Sequence, residues 1–319
     1  MTLIATTLLL LARGFAALDR RRCGLVLKRC TVAGFDIPYL EGGSGEPLLL
    51  LHGMGGQKEN FSRVAGQLRQ HYRVIVPDLP GFGGSTRIAD ADYRIDAQAD
   101  RIIAFADALG LQRLHLGGNS MGGFIAAVCA GRHPDRVASL WLIGPAGLHG
   151  PEETSIVREF KAGGEWPLLL RKPADLDRLL HAVTVHPPFM PAAVKLALGM
   201  RGVSDYPLHR RIAQQGLLQS APLDERYRSL ATPALIVWGG EDQVLHPSAG
   251  AAFTRLLPNS ELRVMPGVGH AAMMEAPQPC AADYLRFRER VDQPASLRIS
   301  ANKSALPSNP MPGSSGSVT

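Results

Sequence analysis

Short apolar runs rich in Val, Ile and Leu alternate along this chain with longer stretches whose apolar residues recur at helical spacing. The runs Lys28–Val32 and Phe35–Glu41 predict an opening antiparallel pair. Pro47–Leu51, Arg73–Val76, Leu114–Leu116, Ala138–Ile143, Ala234–Trp238 and Glu261–Val264 predict six further strands. Helices are expected between them, at Glu59–Gln70, Asp96–Leu109, Met121–Arg132, Ser248–Leu257 and Gln278–Val291. This alternation is the mark of an α/β protein, with a mostly parallel eight-stranded sheet and helices on both faces.

One interval breaks the rhythm. Ala146–Arg228 is too long for a connection and contains helical runs at Asp175–Val185, Pro191–Arg201 and Leu208–Ser220, punctuated by prolines. A helical cap inserted over the strand ends accounts for it. The expected organisation is therefore an N-terminal apolar and basic segment (1–24), a first part of the core (25–145), the cap (146–228), the second part of the core (229–292) and a tail (293–319). The tail is rich in Ser, Pro, Gly and Asn without apolar periodicity, and is expected to be disordered.

The N-terminal segment reads two ways. Thr2–Leu11 is apolar, Arg13 and Gly14 interrupt it, and Arg20, Arg21, Arg22, Lys28 and Arg29 follow. An uninterrupted membrane-spanning helix needs about 20 apolar residues, and no basic stretch precedes the run as in a secretory signal. One reading is peripheral attachment of residues 1–29 to anionic headgroups on the inner face of a membrane, the remainder being cytoplasmic. The other is an ordinary helix or a frayed tail.

Composition narrows the classes. A chain of 319 residues with 45% hydrophobic and 19% charged positions carries a sizeable core and is neither disordered nor coiled-coil. The net charge of +6 is concentrated near the N-terminus, and aromatic residues make up only 6%, so no basic face interleaved with aromatics is expected and nucleic acid is excluded as a partner. Cys23, Cys30, Cys129 and Cys280 lack metal or redox spacing, so free thiols are expected, with no metal and no cofactor.

The chemistry starts at Gly118-Asn119-Ser120-Met121-Gly122. A strand-like run stops there and an alanine-rich helical run follows, so Ser120 is expected at the apex of a tight turn that only small neighbours allow. With 34 glycines in the chain, Gly-x-Ser-x-Gly alone is a weak signal, and its partners decide. A serine hydroxyl needs a base within hydrogen-bond reach, and the base needs an acceptor to fix its tautomer. His270 follows the last strand in a glycine-rich turn. Asp242 follows the Ala234 strand, whereas the corresponding place after the preceding strand reads Gly144-Pro145-Ala146-Gly147 and offers no carboxylate. Negative charge developing on a carbonyl oxygen needs N–H donors. Met121, after the nucleophile, and Met54, in the glycine-rich His52-Gly53-Met54-Gly55-Gly56 loop, are the candidates. Phe189, Met190, Leu196 and Leu198 are candidate lining for an acyl chain, or equally the cap's own small core.

These motifs carry a resemblance. His52-Gly53-Met54-Gly55, Asp78-Leu79-Pro80-Gly81-Phe82-Gly83-Gly84-Ser85, Gly118-Asn119-Ser120-Met121-Gly122 and Gly269-His270 with Glu275 and Pro277 resemble the α/β-hydrolase superfamily from about Glu46 to Arg288. Glu59-Asn60-Phe61, Ser139-Leu140-Trp141-Leu142, Gly144-Pro145-Ala146-Gly147-Leu148, Asp242-Gln243-Val244-Leu245 and His186-Pro187-Pro188-Phe189 look most like the bacterial family V lipases and the membrane-associated monoacylglycerol lipases. The resemblance implies an α/β-hydrolase fold and a carboxylic ester hydrolase acting on ester or lipid substrates through a Ser120–His270–Asp242 triad. Two alternatives stand beside it. A carbon–carbon hydrolase of ring-cleavage products shares the Gly-Asn-Ser-Met-Gly-Gly wording but usually carries Trp after the histidine, where this chain has Ala271. A non-catalytic binding member of the fold is the other.

Overall fold

A computed structural model of the chain describes residues 3–163 and 165–293. The tail expected to be disordered lies, from residue 294 onward, outside the described residues.

Strands β1 (Val26–Val32), β2 (Phe35–Gly42), β3 (Pro47–Leu51), β4 (Arg73–Pro77), β5 (Leu114–Asn119), β6 (Val137–Ile143), β7 (Ala234–Gly239) and β8 (Ser260–Met265) form one sheet in the order β1-β2-β4-β3-β5-β6-β7-β8. The pairs β1–β2 and β2–β4 are antiparallel and every other pair is parallel. Burial follows position. Leu48 to Leu51 of the interior strand β3 are fully buried, whereas the edge strand β1 exposes most of its length. A strand buried on both faces must read as a continuous apolar run, and β3 does.

Successive side chains of a strand point to opposite faces, so the sheet builds two cores. Leu49, Leu51 and Leu116 pack with α3 (Ile95–Ala108), α4 (Met121–Arg132) and α9 (Gly250–Leu256) through Ile102, Ile125 and Phe253. Leu48, Leu50 and Val76 pack on the other face with α2 (Ser62–Leu68) and α11 (Pro277–Asp292) through Val64, Leu68 and Phe287. Trp141 of β6 stacks there on Tyr284 of α11, ring centroids 4.5 Å apart.

Between β6 and β7 the chain forms α5 (Ser155–Lys161), α6 (Asp175–Val183), α7 (Ala192–Ala213) and α8 (Leu223–Arg226). Here one expectation is corrected. The runs Pro191–Arg201 and Leu208–Ser220 are not separate helices. Up to Ala213 they form the single helix α7, with Pro207 inside it, and a π-helical turn over Gln214–Leu218 follows. A helix-interior proline removes one backbone hydrogen bond. Burial of Val194, Ala197, His209, Ile212 and Ala213 along the helix offsets that loss.

The N-terminal segment is a single helix, α1 (Leu3–Arg22), running through Arg13 and Gly14 and packed along α7. No helix among the described residues is long and apolar enough to cross a membrane.

Candidate active site

The turn after β5 is strained. Ser120 has φ 56° and ψ −119°, a backbone conformation that residues with a Cβ rarely adopt. Its neighbours make it possible. A Cβ on Gly118 would lie 2.3 Å from the carbonyl carbon of Gly122, and a Cβ on Gly122 would lie 2.2 Å from the Leu51 carbonyl oxygen. Hydrogen bonds lock the turn. The Ser120 amide donates to the Ile143 carbonyl (3.0 Å), and the Ser120 carbonyl accepts from Phe124 (3.1 Å) and Ala146 (3.0 Å). Asn119 Nδ2 donates to the carbonyls of Ile143 (2.9 Å) and His270 (3.1 Å), tying the serine turn to the loop that carries the imidazole.

That loop and the loop after β7 hold the second pair. His270 Nδ1 donates to Asp242 Oδ2 at 2.7 Å, and both residues are buried. The other Asp242 oxygen, Oδ1, accepts from the Val244 (2.8 Å) and Leu245 (2.9 Å) amides. Gly144 leaves room for the pair, since a Cβ there would approach His270 Nδ1 to 3.1 Å and Asp242 Oδ2 to 3.2 Å. Glu275, at the end of the short helix α10 (Ala272–Glu275), accepts from the amides of Gly269 (2.8 Å), Val185 (3.2 Å) and His186 (2.7 Å). One carboxylate thus joins the His270 loop to the segment after α6. The Ala271 amide reinforces the join by donating to the Val183 carbonyl at 2.8 Å.

The glycine-rich loop after β3 faces the serine. A Cβ on Gly53 would sit 3.1 Å from Ser120 Cβ, so the backbone approaches only because Gly53 has none. His52 anchors this loop from beneath. Its Nδ1 pairs with the Gly53 carbonyl (2.8 Å) and its Nε2 accepts from the Leu79 amide (2.9 Å), a partner set that places the proton on Nδ1. Burial holds the His52 pKa below the usual imidazole range, and neutral imidazole is the form that can accept the Leu79 N–H. The Asp78–Ser85 motif supports the loop in turn. Asp78 accepts from Lys58 Nζ (2.9 Å), the Lys58 amide (2.7 Å) and the Gly84 amide (2.5 Å). Met121 opens α4, and the first N–H groups of a helix have no intrahelical partner.

Ser120, His270 and Met54 line one cavity of about 290 Å³, roofed by the helices between β6 and β7. Of the four candidate lining residues, Phe189, Met190 and Leu198 border it, Phe189 standing at the mouth with 82% of its surface exposed. Leu196 is corrected: it is 44% exposed and does not line the cavity. The lining positions of α7 include Val194, Leu198, Arg201, Asp205 and His209, a stripe at helical spacing, and Leu196 projects from the opposite side of that helix. Sequence reasoning missed most of the lining, including Leu176, Leu179, Leu180 and Val183 of α6 and the groups that follow. Trp166 and Leu168–Leu170 form an apolar run without helical period, Val244 follows Asp242, and Ala12, Phe15 and Ala16 come from α1. Among the described residues no cluster of His, Cys, Asp or Glu is arranged to hold a metal ion.

The alpha/beta hydrolase fold family matches residues 46–172 and 192–277. Lipase 3 of Moraxella sp. (strain TA144) is 36% identical over 278 residues, 85% of this chain and 87% of the relative. Monoacylglycerol lipase ABHD6 of Homo sapiens is 28% identical over 255 residues, 75% of this chain and 74% of the relative. Among solved structures, that of a membrane phospholipase A described as a bacterial virulence factor superposes with a TM-score of 0.86 at 37% identity, covering 90% of this chain and 93% of the other. With its motifs carried on this sheet order, and with matches of this extent, the chain belongs to the α/β-hydrolase fold family.

Proposed function

We propose that the chain is a lipase-type serine hydrolase that cleaves carboxylic esters of lipids, with Ser120 as nucleophile. The observation that carries this reading is the His270 Nδ1–Asp242 Oδ2 hydrogen bond of 2.7 Å at the apolar cavity that Ser120 lines. With Nδ1 engaged by Asp242, Nε2 is the nitrogen that takes the Ser120 proton as the oxygen attacks the ester carbonyl. Asp242 stabilises the imidazolium. The Met54 and Met121 amides receive the developing oxyanion, each contributing about 3 to 4 kcal/mol in such a role. His270 then protonates the departing alcohol, and water attacks the acyl-enzyme by the same route in reverse. The helices over the strand ends act as a cap whose leucine-rich lining takes the acyl chain.

The test is a fluorophosphonate probe together with three substrates: a short p-nitrophenyl ester, a monoacylglycerol and a ring-cleavage dienone. Labelling at Ser120 with turnover of both esters is the expected result. Turnover of the dienone alone would favour the carbon–carbon hydrolase, and absence of labelling and turnover would favour a non-catalytic binder.

The substrate class bears on α1. Leu10, Leu11 and Leu18 are 60%, 53% and 48% exposed, Arg20, Arg21 and Arg22 form the last turn, and Phe189 stands at the cavity mouth. Together these features support peripheral contact of residues 1–29 with the inner face of a membrane, where each arginine near an anionic surface contributes about 1 kcal/mol. Leu10→Asp combined with Leu11→Asp is expected to weaken co-sedimentation with phosphatidylglycerol-containing vesicles by at least about tenfold, given the apolar area withdrawn and the like charge added. Unchanged binding would overturn the membrane contact.

A further inference from the structure

Arg87 stands behind the cavity wall and bonds to two sides of it. It does not line the cavity, yet two of its partners do: Asp205 on α7 and Gly83 on the loop after β4. Its Nε and Nη2 donate to Asp205 Oδ1 and Oδ2, each at 2.7 Å. Nη2 donates also to the Gly83 carbonyl at 3.0 Å, and Nη1 to the Ser85 carbonyl at 3.0 Å. The rigid fork of one guanidinium thus holds a residue of the insertion and a turn of the core together.

The pair is mostly enclosed, the side chains of Arg87 and Asp205 being 31% and 10% exposed. A buried ion pair is weak evidence for stability, because desolvation offsets much of the attraction, and fixing register is its best-attested use. Arg201, the other arginine beside Asp205, stays 3.6 Å away and makes no bidentate contact.

The contacts on either side of the loop show what is fixed. Asp205, His209 and Ile212 share one face of α7, and each meets the loop. Asp205 pairs with Arg87, and His209 lies against Phe82 with ring centroids 4.7 Å apart. Ile212 packs where a Cβ on Gly81 would come within 2.7 Å of its Cδ1. Toward the core, the same loop carries the glycine-rich segment: the Leu79 amide donates to His52 Nε2, and His52 Nδ1 donates to the Gly53 carbonyl. The roof of the cavity and the backbone bearing Met54 are therefore fastened to one loop. Among its three contacts with α7, the Arg87–Asp205 pair is the charge-assisted and directional one.

We propose that Arg87 is a positioning residue: paired with Asp205, it sets the loop after β4, and through His52 the oxyanion donor at Met54, against the insertion that roofs the cavity. The inference rests on the ester-hydrolase reading and adds to it a link between the insertion and the rate of the chemical step. Misplacing a group by about 1 Å through a change far from the chemistry can cost about 10²-fold in rate.

Removing one partner would strand a charge in a mostly enclosed place, so the experiment replaces both, Arg87→Met with Asp205→Asn. On a short p-nitrophenyl ester the double variant is expected to lower kcat by about 10- to 100-fold, with KM changed by less than about threefold, because Arg87 lies outside the cavity. An alkylboronic acid, whose adduct with Ser120 places an oxygen where the oxyanion develops, should bind more weakly by a similar factor. Each single variant should cost nearly as much as the double, the non-additivity of a pair that acts as one unit. Arg87→Lys keeps the charge and loses the fork; it should show the same split between kcat and KM in smaller degree, and it carries the test if the double variant does not fold. Wild-type kcat in the folded variants, or a fall in kcat with boronate affinity unchanged, would overturn the proposal and leave the pair a structural tie. Absence of ester hydrolysis by the wild type would instead overturn the hydrolase reading, and the positioning role with it.

Discussion

Replacing Ser120 with alanine is expected to lower kcat on a short p-nitrophenyl ester by about 10⁶-fold, the loss seen when the nucleophile of a cooperating triad is removed. The expectation is large because, among the described residues that line the cavity, none but Ser120 carries a hydroxyl, and the turn sets Ser120 at its apex against Gly53. The alanine variant keeps a Cβ in the same left-handed backbone, so its stability should match that of the wild type. Ser120→Gly provides the separating control. A non-glycine residue at φ 56° costs about 1 to 3 kcal/mol, and glycine removes that cost. The glycine variant should be equally inactive yet melt about 2 °C higher or more. Turnover, fluorophosphonate labelling and thermal melting of the two variants form the check. Esterase activity surviving in both would remove Ser120 from the mechanism, whereas loss of activity with a lowered melting temperature would point to a damaged turn.

The sheet was legible in the sequence because its strands are short apolar runs bounded by turn residues. Pro47–Leu51 reads as a strand and proves to be one, in the sheet interior with Leu48 to Leu51 fully buried. The places of Ser120, Asp242 and His270 were legible for a related reason. Each lies in the loop after a strand, where glycines permit a close turn, and the parallel order β5-β6-β7-β8 sets the ends of β5, β7 and β8 along one edge of the sheet. Asp242 and His270 lie within hydrogen-bond distance although 28 residues separate them.

The insertion was less legible. Its helices are held by packing rather than by local signals. Pro207 looks like a break, and only the burial of the turns on either side of it shows why the helix continues. The helix α5 was missed although Thr154 caps it, its Oγ1 accepting from the Val157 amide at 3.2 Å. Leu196 was misjudged because the assumed helix carried no mark of which side faced the cavity. The contribution of α1 was out of reach, since a wall formed by Phe15 and Ala16 against a helix some two hundred residues later leaves no trace in periodicity. Glu275 had a signal, its place after His270, but nothing in the sequence indicated that it would bind the amides of two separate segments.

Asp242→Asn is expected to lower kcat by about 10⁴-fold while leaving the fold intact. The direction follows from hydrogen-bond bookkeeping at one side chain. Oδ1 of Asp242 accepts from two amides, Val244 at 2.8 Å and Leu245 at 2.9 Å, and Oδ2 accepts from His270 Nδ1 at 2.7 Å. An asparagine has one acceptor oxygen and one donor nitrogen. Two N–H groups already point at the Oδ1 position, so the asparagine oxygen must stay there and its NH₂ must take the Oδ2 position. That NH₂ then faces His270 Nδ1 and requires it to accept, which moves the ring proton to Nε2. The tautomer is then the wrong one, since Nε2 carries a proton where it should receive one from Ser120. Turning the amide over instead would set its NH₂ against two backbone donors and leave them unpaired in a buried loop, at about 1 to 3 kcal/mol each. The variant should therefore keep its melting temperature within a few degrees, bind substrate with little change in KM and lose its rate in kcat. Asp242→Ala removes the acceptor altogether and frees the loop amides, so it should lose comparable activity and also stability. Near-normal kcat in the asparagine variant would show that His270 does not need this partner, and would take Asp242 out of the proton relay while leaving Ser120 and His270 in it.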